Sequence, residues 1–151
     1  MDLLKLVALD SDDMAVVSAH VQDSVVKVGD VMWLPTEKRL IVVLNRFDWE
    51  SAQSPVPPFR RRRAALRFER VNGFKHRNIP CSDKDAVLNL LAIDFTPTDA
   101  PSGYLTLTFS GGAGLRLEVE CVEAELADLG PVWATAACPA HVDELDAVKT
   151  A

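Results

Sequence analysis

No apolar run approaches the roughly 20 residues a membrane helix needs, and Met1-Asp2-Leu3-Leu4-Lys5 carries charges inside its short apolar start, a poor signal peptide. The expectation is a cytoplasmic protein without a membrane role. Cysteines number three (Cys81, Cys121, Cys138), an odd count without C-x-x-C spacing. That excludes a disulfide framework and a zinc knuckle as the basis of the fold. Histidines are also three (His20, His76, His141), far apart and in no catalytic motif. No cofactor motif is present either, so neither a cofactor nor a metal is expected.

What is present is a soluble, globular balance in 151 residues: 48% hydrophobic and 25% charged, enough for one domain and too little for two. Residues 1–140 read as a single domain and 141–151 as a flexible tail. The net charge of −6 is unevenly spread. Arg60 to Arg77 holds eight basic residues against one acid, a net +7, and the rest, with eight basic residues against 21 acids, carries −13.

The clearest local pattern runs from Tyr104 to Leu129. Leu105, Leu107 and Phe109 alternate with threonines, and Leu115, Leu117, Val119 and Cys121 alternate with Arg116, Glu118 and Glu120. Period two marks strands with one buried face. Ser110-Gly111-Gly112-Ala113-Gly114 between them reads as a hairpin turn. It lacks the Lys-Ser/Thr of a phosphate loop. Val122, Leu126 and Leu129 then fall at i, i+4 and i+7, which predicts a short closing helix before Gly130-Pro131.

Earlier in the chain, Leu3–Leu9 reads as a buried strand. Asp10 or Ser11 caps a helix from about Asp12 to Val28, with Met14, Val17, Val21, Val25 and Val28 as its apolar stripe. Val31–Leu34 and Arg39–Trp49 form a hairpin, and the proline-rich 50–59 stretch a loop. Ala64–Ile79 is a strand with a bulge or turn at Asn72-Gly73, and Val87–Phe95 is another. The expected class is α+β: about seven mostly antiparallel strands in a curved sheet or split barrel, with one long helix after the first strand and a short one after the last. That order suggests pleckstrin-homology domains at the level of fold alone.

Three stretches, LNRFDWE (44–50), RRRRAALRFERV (60–71) and LRLEVECVEAELADLGPVWAT (115–135), together with the opening helix, resemble a family of small alphaproteobacterial proteins known as a domain of unknown function. The resemblance spans roughly Leu4 to Pro139. It implies a single domain in a bacterial cytoplasm and names no activity, ligand or catalytic residue.

Two constellations carry candidate chemistry. Arg60, Arg61, Arg62, Arg63, Arg67 and Arg70, with Phe59, Phe68 and Phe74 among them, can contact phosphates or an acidic partner. The same charges equally serve as a solvated strand edge, or dock on the protein's own acidic surface. Arg46 and Asp48, inside an apolar strand, need partners if buried and can frame a small polar site with His20. The Glu118, Glu120, Glu123 and Glu125 string can bind a cation, but reads first as a wet face or as partners for neighbouring arginines. The leading expectation is a non-enzymatic binding module using the arginine stripe, with an acidic protein or a second copy as partner. A small enzyme around Arg46, Asp48 and His20 is the runner-up. Nucleic-acid or phosphate binding through Arg60–Arg70 is the third reading, opposed by the acidic remainder.

Overall fold

In the computed structural model the described residues are 3–47 and 61–130. Ten strands and one α-helix follow in order: β1 (Lys5–Ala8), α1 (Ser11–Val21), β2 (Ser24–Lys27), β3 (Val31–Leu34), β4 (Arg39–Phe47), β5 (Arg61–Phe68), β6 (Val71–Arg77), β7 (Val87–Pro97), β8 (Gly103–Phe109), β9 (Gly114–Val119) and β10 (Ala124–Asp128). All pairings are antiparallel, in the order β1-β10-β5-β4-β2-β7-β8-β9-β6, with β3 also on β4. The sheet curls on itself, because β6 runs back through Glu69-Arg70 into β5, which pairs with the other edge of β4. Arg70 takes φ +60° at that corner. Opposite it, Glu69 N–H bonds Glu123 O and Glu120 N–H bonds Arg70 O, so the β5–β6 and β9–β10 runs bend together.

The helix starts where its chemistry dictates. Asp10 Oδ1 accepts the Asp13 N–H at 2.8 Å, and Asp13 Oδ2 accepts the Leu9 N–H at 3.0 Å, a reciprocal cap. Asp12 and Asp13 sit in the first turn, at the positive end of the dipole. Met14, Val17 and Val21 are buried, each contributing about 1.5–3 kcal/mol of apolar burial. The helix packs against β7, β1 and β4. Where the register of β7 slips between Leu90 and Ala92, the Ile93 N–H turns to Ser18 Oγ at 2.9 Å and pins α1 to the sheet.

Five expectations are corrected. The helix ends at Val21, not Val28: Asp23 adopts φ +65° and the chain enters β2, where Ser24 and Val26 are buried while Val25 is only half-buried. Valines spaced by three and four thus fall in α1, in β2 and, at Val28, in the 3-10 turn after it, and the β-branching of Val25 suits the strand. The closing helix over Val122–Leu129 is strand β10, and with it goes the feature behind the pleckstrin-homology comparison. Cys121 lies at the β9–β10 corner and is half-exposed, not on the apolar face. The strands are ten rather than about seven and do not form a simple meander. Ala64–Ile79 divides into β5 and β6, which pair with different neighbours, and the register slips between Val71 and Gly73 within β6. The glycine turn does reverse the chain, with Gly111 and Gly112 at φ +74° and +76°.

The inward residues form one continuous core from Ala8 on β1 to Leu126 on β10, including Phe68, Leu90, Leu107 and Leu117. No helix among the described residues is long and apolar enough to cross a membrane.

Candidate functional site

Strand β5 carries most of the arginine stripe. Its pleat turns Ala64, Leu66 and Phe68 inward and leaves Arg61, Arg63 and Arg67 on the wet side. Each of these finds a partner. Arg61 Nη1 donates to the carbonyls of Asp23 (3.0 Å) and Asn45 (3.3 Å). Arg63 reaches Asp30 and the Asn45 side chain, both at 3.4 Å. Arg67 pairs with Glu69 at 2.8 Å and Glu125 at 3.2 Å. Arg39 pairs with Glu69 at 2.9 Å, and Arg70 with Glu123 at 3.4 Å. Lys38 Nζ lies 2.9 Å from Glu120, and its hydrogen bond and charge hold that carboxyl below its usual range. The acids around β9 and β10 thus take up Arg67, Arg70 and Lys38, while Arg63 goes to Asp30 and Arg61 bonds backbone carbonyls. Each exposed pair is worth only about 0–1 kcal/mol, yet together they engage the charges of Arg63, Arg67 and Arg70.

Arg46 is not a surface residue. Its side chain is 0% exposed, and that of its partner Asp128 is 1% exposed. Nε and Nη2 donate to Oδ1 and Oδ2, each at 2.9 Å, a bidentate bond, and Nη1 donates to the Phe47 carbonyl at 3.3 Å. Asp128 Oδ2 also accepts the Leu4 N–H at 2.9 Å. Burial raises the Asp128 pKa, but the Arg46 hydrogen bond, the Leu4 N–H and the charges of Arg46 and Arg62 outweigh it, so the carboxyl titrates below its usual range. Arg62 lies directly opposite Arg46 in the β4–β5 ladder. Asp48 and Arg60 lie outside the described residues. His20 sits on α1, its Nδ1 3.0 Å from the Val16 carbonyl.

Three further cations cluster elsewhere. Lys75 on β6 stands directly opposite Arg116 on β9, which faces Thr106 on β8, and one row along Arg77 faces Gly114. Lys75, Arg77, Arg116, Thr106 and Gly114, with His76 and Leu115, line a cavity of about 390 Å³. A Cβ on Gly114 would lie 3.4 Å from the Leu107 carbonyl oxygen and 4.0 Å from an Arg77 nitrogen. The Arg116 guanidinium rests 4.7 Å over the Tyr104 ring. None of the three cations forms an ion pair with a described residue. Asp94, opposite Thr106, and Glu118, opposite Gly73, border the row without closing on it. His76 lies 3.6 Å from the Cys81 Sγ. A second cavity of about 390 Å³, between β2 and β5, mixes Lys27, Arg63 and Lys84 with Asp30 and Asp85, so its charges offset internally. No group of three or more His, Cys, Asp or Glu among the described residues is placed to hold a metal ion.

Residues 4–141 match the model of a family described as "Protein of unknown function (DUF2948)". The chain belongs to this family. Neither the curated proteins nor the solved structures gave a match. In this DUF2948 domain the structure separates residues that the sequence groups together: Arg46 enters the core, Arg63, Arg67 and Arg70 pair internally, and Lys75 and Arg77 join Arg116 across a strand boundary. Nothing local announces that last cluster. Alternation places Arg116 on a wet face, but only the β6–β9 register brings it opposite Lys75.

Proposed function

We propose that this DUF2948 domain is a non-enzymatic binding module for an anionic partner, held on the outer face of β6 and β9 by Lys75, Arg77 and Arg116. The observation that carries the reading is the direct pairing of Lys75 with Arg116 without an acid in contact. Like charges directly opposite each other destabilise a sheet; a bound anion removes that cost. The charge of Arg63, Arg67 and Arg70 goes to Asp30, Glu69, Glu125 and Glu123, which moves the favoured contact surface away from the Arg60–Arg70 stripe. A catalytic role for Arg46 is disfavoured because a side chain sealed from solvent touches no substrate. The acidic remainder of the chain disfavours a long polyanion such as nucleic acid. A single domain over residues 1–140 fits the continuous core, and the two-residue link from β5 to β6, with the Val71 N–H to Lys38 O bond just before β4, fits a split barrel. The bacterial, cytoplasmic setting implied by the resemblance belongs to the same reading.

The test is retention on immobilised poly-L-glutamate at low salt. Wild type is expected to bind, and Lys75→Glu/Arg77→Glu/Arg116→Glu to bind at least about tenfold more weakly. Arg61→Ala/Arg63→Ala is expected to bind like wild type. If the arginine-stripe variant is the one that loses binding, the contact surface is β5 instead. If wild type binds neither poly-L-glutamate nor single-stranded DNA, the module reading falls.

A further inference from the structure

The ladder path has two ends, β1 and β6. β6 pairs with β9 along one edge. On its other edge, the only backbone bond found among the described residues is at its first position, Val71 N–H to Lys38 O at 2.9 Å. Beyond it, Lys75, His76 and Arg77 are exposed. A strand edge presents unpaired N–H and C=O groups, a template for another extended segment. The β6 pleat puts Lys75 and Arg77 on the same face, two residues apart, a spacing of about 6.8 Å along a strand. Gly73, the preceding residue on that face, has open space where a side chain would stand.

Charge decides what can pair there. A second copy of β6 would set lysine and arginine against each other, and an apolar strand would leave both cations uncompensated. A strand with carboxylates at alternate positions meets Lys75 and Arg77 in register and keeps its main-chain bonds. We propose that β6 is a docking edge for an acidic, extended peptide segment of a partner protein, which adds as a further strand beside Lys75 and Arg77. This rests on the anion-binding reading above and names its ligand class and geometry. Arg116, one strand further in and stacked on Tyr104, adds to the field rather than to the direct contact. Substituting it therefore weakens binding less than substituting Lys75 or Arg77.

The experiment uses the full chain and a fluorescein-labelled octapeptide of alternating Thr and Glu, followed by fluorescence polarisation. Comparison peptides have the same composition in two blocks, or N-methyl groups on all Thr amides, or on all Glu amides. Alternate residues of an added strand donate to β6, so one N-methylated form is expected to lose binding and the other to keep it. The alternating peptide is expected to bind at least about tenfold tighter than the block peptide, and Lys75→Glu/Arg77→Glu to abolish the difference. If the block peptide and both N-methylated forms bind as well as the parent, strand addition is overturned while anion binding stands. If neither the peptides nor poly-L-glutamate nor a single-stranded oligonucleotide binds wild type, both fall. If a single-stranded oligonucleotide binds and the peptides do not, the partner is nucleic acid and the peptide proposal is wrong. The N-methylated peptides probe the unaltered protein, so a folding defect in a variant does not decide the matter.

Discussion

Arg46 on β4 and Asp128 on β10 are not ladder neighbours: β5 lies between them, and Ala64, which pairs with both Leu44 and Asp128, occupies the row the guanidinium must cross. A large side chain at 64 would block the two 2.9 Å bonds that join the pair. The bond thus ties three strands together, and through the Leu4 N–H it ties in the segment leading to β1 as well.

Breaking the pair from one side leaves a buried charge unmatched. Arg46→Met or Asp128→Asn alone is expected to cost about 3–5 kcal/mol in urea unfolding. Arg46→Met combined with Asp128→Leu removes both charges and orphans the Leu4 N–H, so its cost should be smaller, about 1–3 kcal/mol. A double variant as unstable as the sum of the singles would refute this account.

Acid should unfold the domain partly through Asp128. Its carboxyl titrates at lower pH in the folded state than in the unfolded chain. The stabilisation is therefore present above the unfolded aspartate value, about 3.9, and is lost as pH falls through the lower folded value. Stability curves of wild type and Asp128→Asn should converge as pH drops below about 4. Parallel curves down to acid unfolding would contradict the assignment.

Glycines divide by their surroundings. A Cβ on Gly103 would lie 2.4 Å from the Thr96 carbonyl and 2.7 Å from the Phe95 ring. Gly103→Ala is therefore expected to cost about 1–3 kcal/mol, or more if the backbone cannot shift. Gly111, at φ +74°, meets no atom but is strained for any L side chain, so Gly111→Ala should cost about 1–2 kcal/mol. Gly73→Ala meets nothing and should be neutral or slightly stabilising. Thermal unfolding of the three variants gives the order directly.

A cation held opposite another cation predicts a trade between stability and binding. Lys75→Glu turns the pairing with Arg116 into an attraction worth about 0.2–1 kcal/mol, which raises Tm by about 1–3 °C for a chain of this size. The gain should shrink in high salt, and poly-L-glutamate binding should fall. An unchanged or lower Tm at low salt would remove the argument that Lys75 is held at a cost.

The sequence by itself determined whatever rests on neighbours in the chain. The Asp10 cap, the glycine turn between β8 and β9, and the alternation of Leu66 and Phe68 with Arg67 are local, because dihedral preference, capping and pleat act over a few residues. β10 escaped for a physical reason: Val122 just before it and Ala124, Leu126 and Asp128 within it are buried, a period of two disguised by a carboxylate at a core position. Only tertiary structure decides that an aspartate is buried there, since its counter-charge, Arg46, lies 82 residues away. The same holds for charge. Composition placed a +7 segment in an acidic chain, but strand register decided which arginines meet glutamates and which cations, Lys75, Arg77 and Arg116, are left to face solvent, because Coulomb energy depends on distance in space and not along the chain.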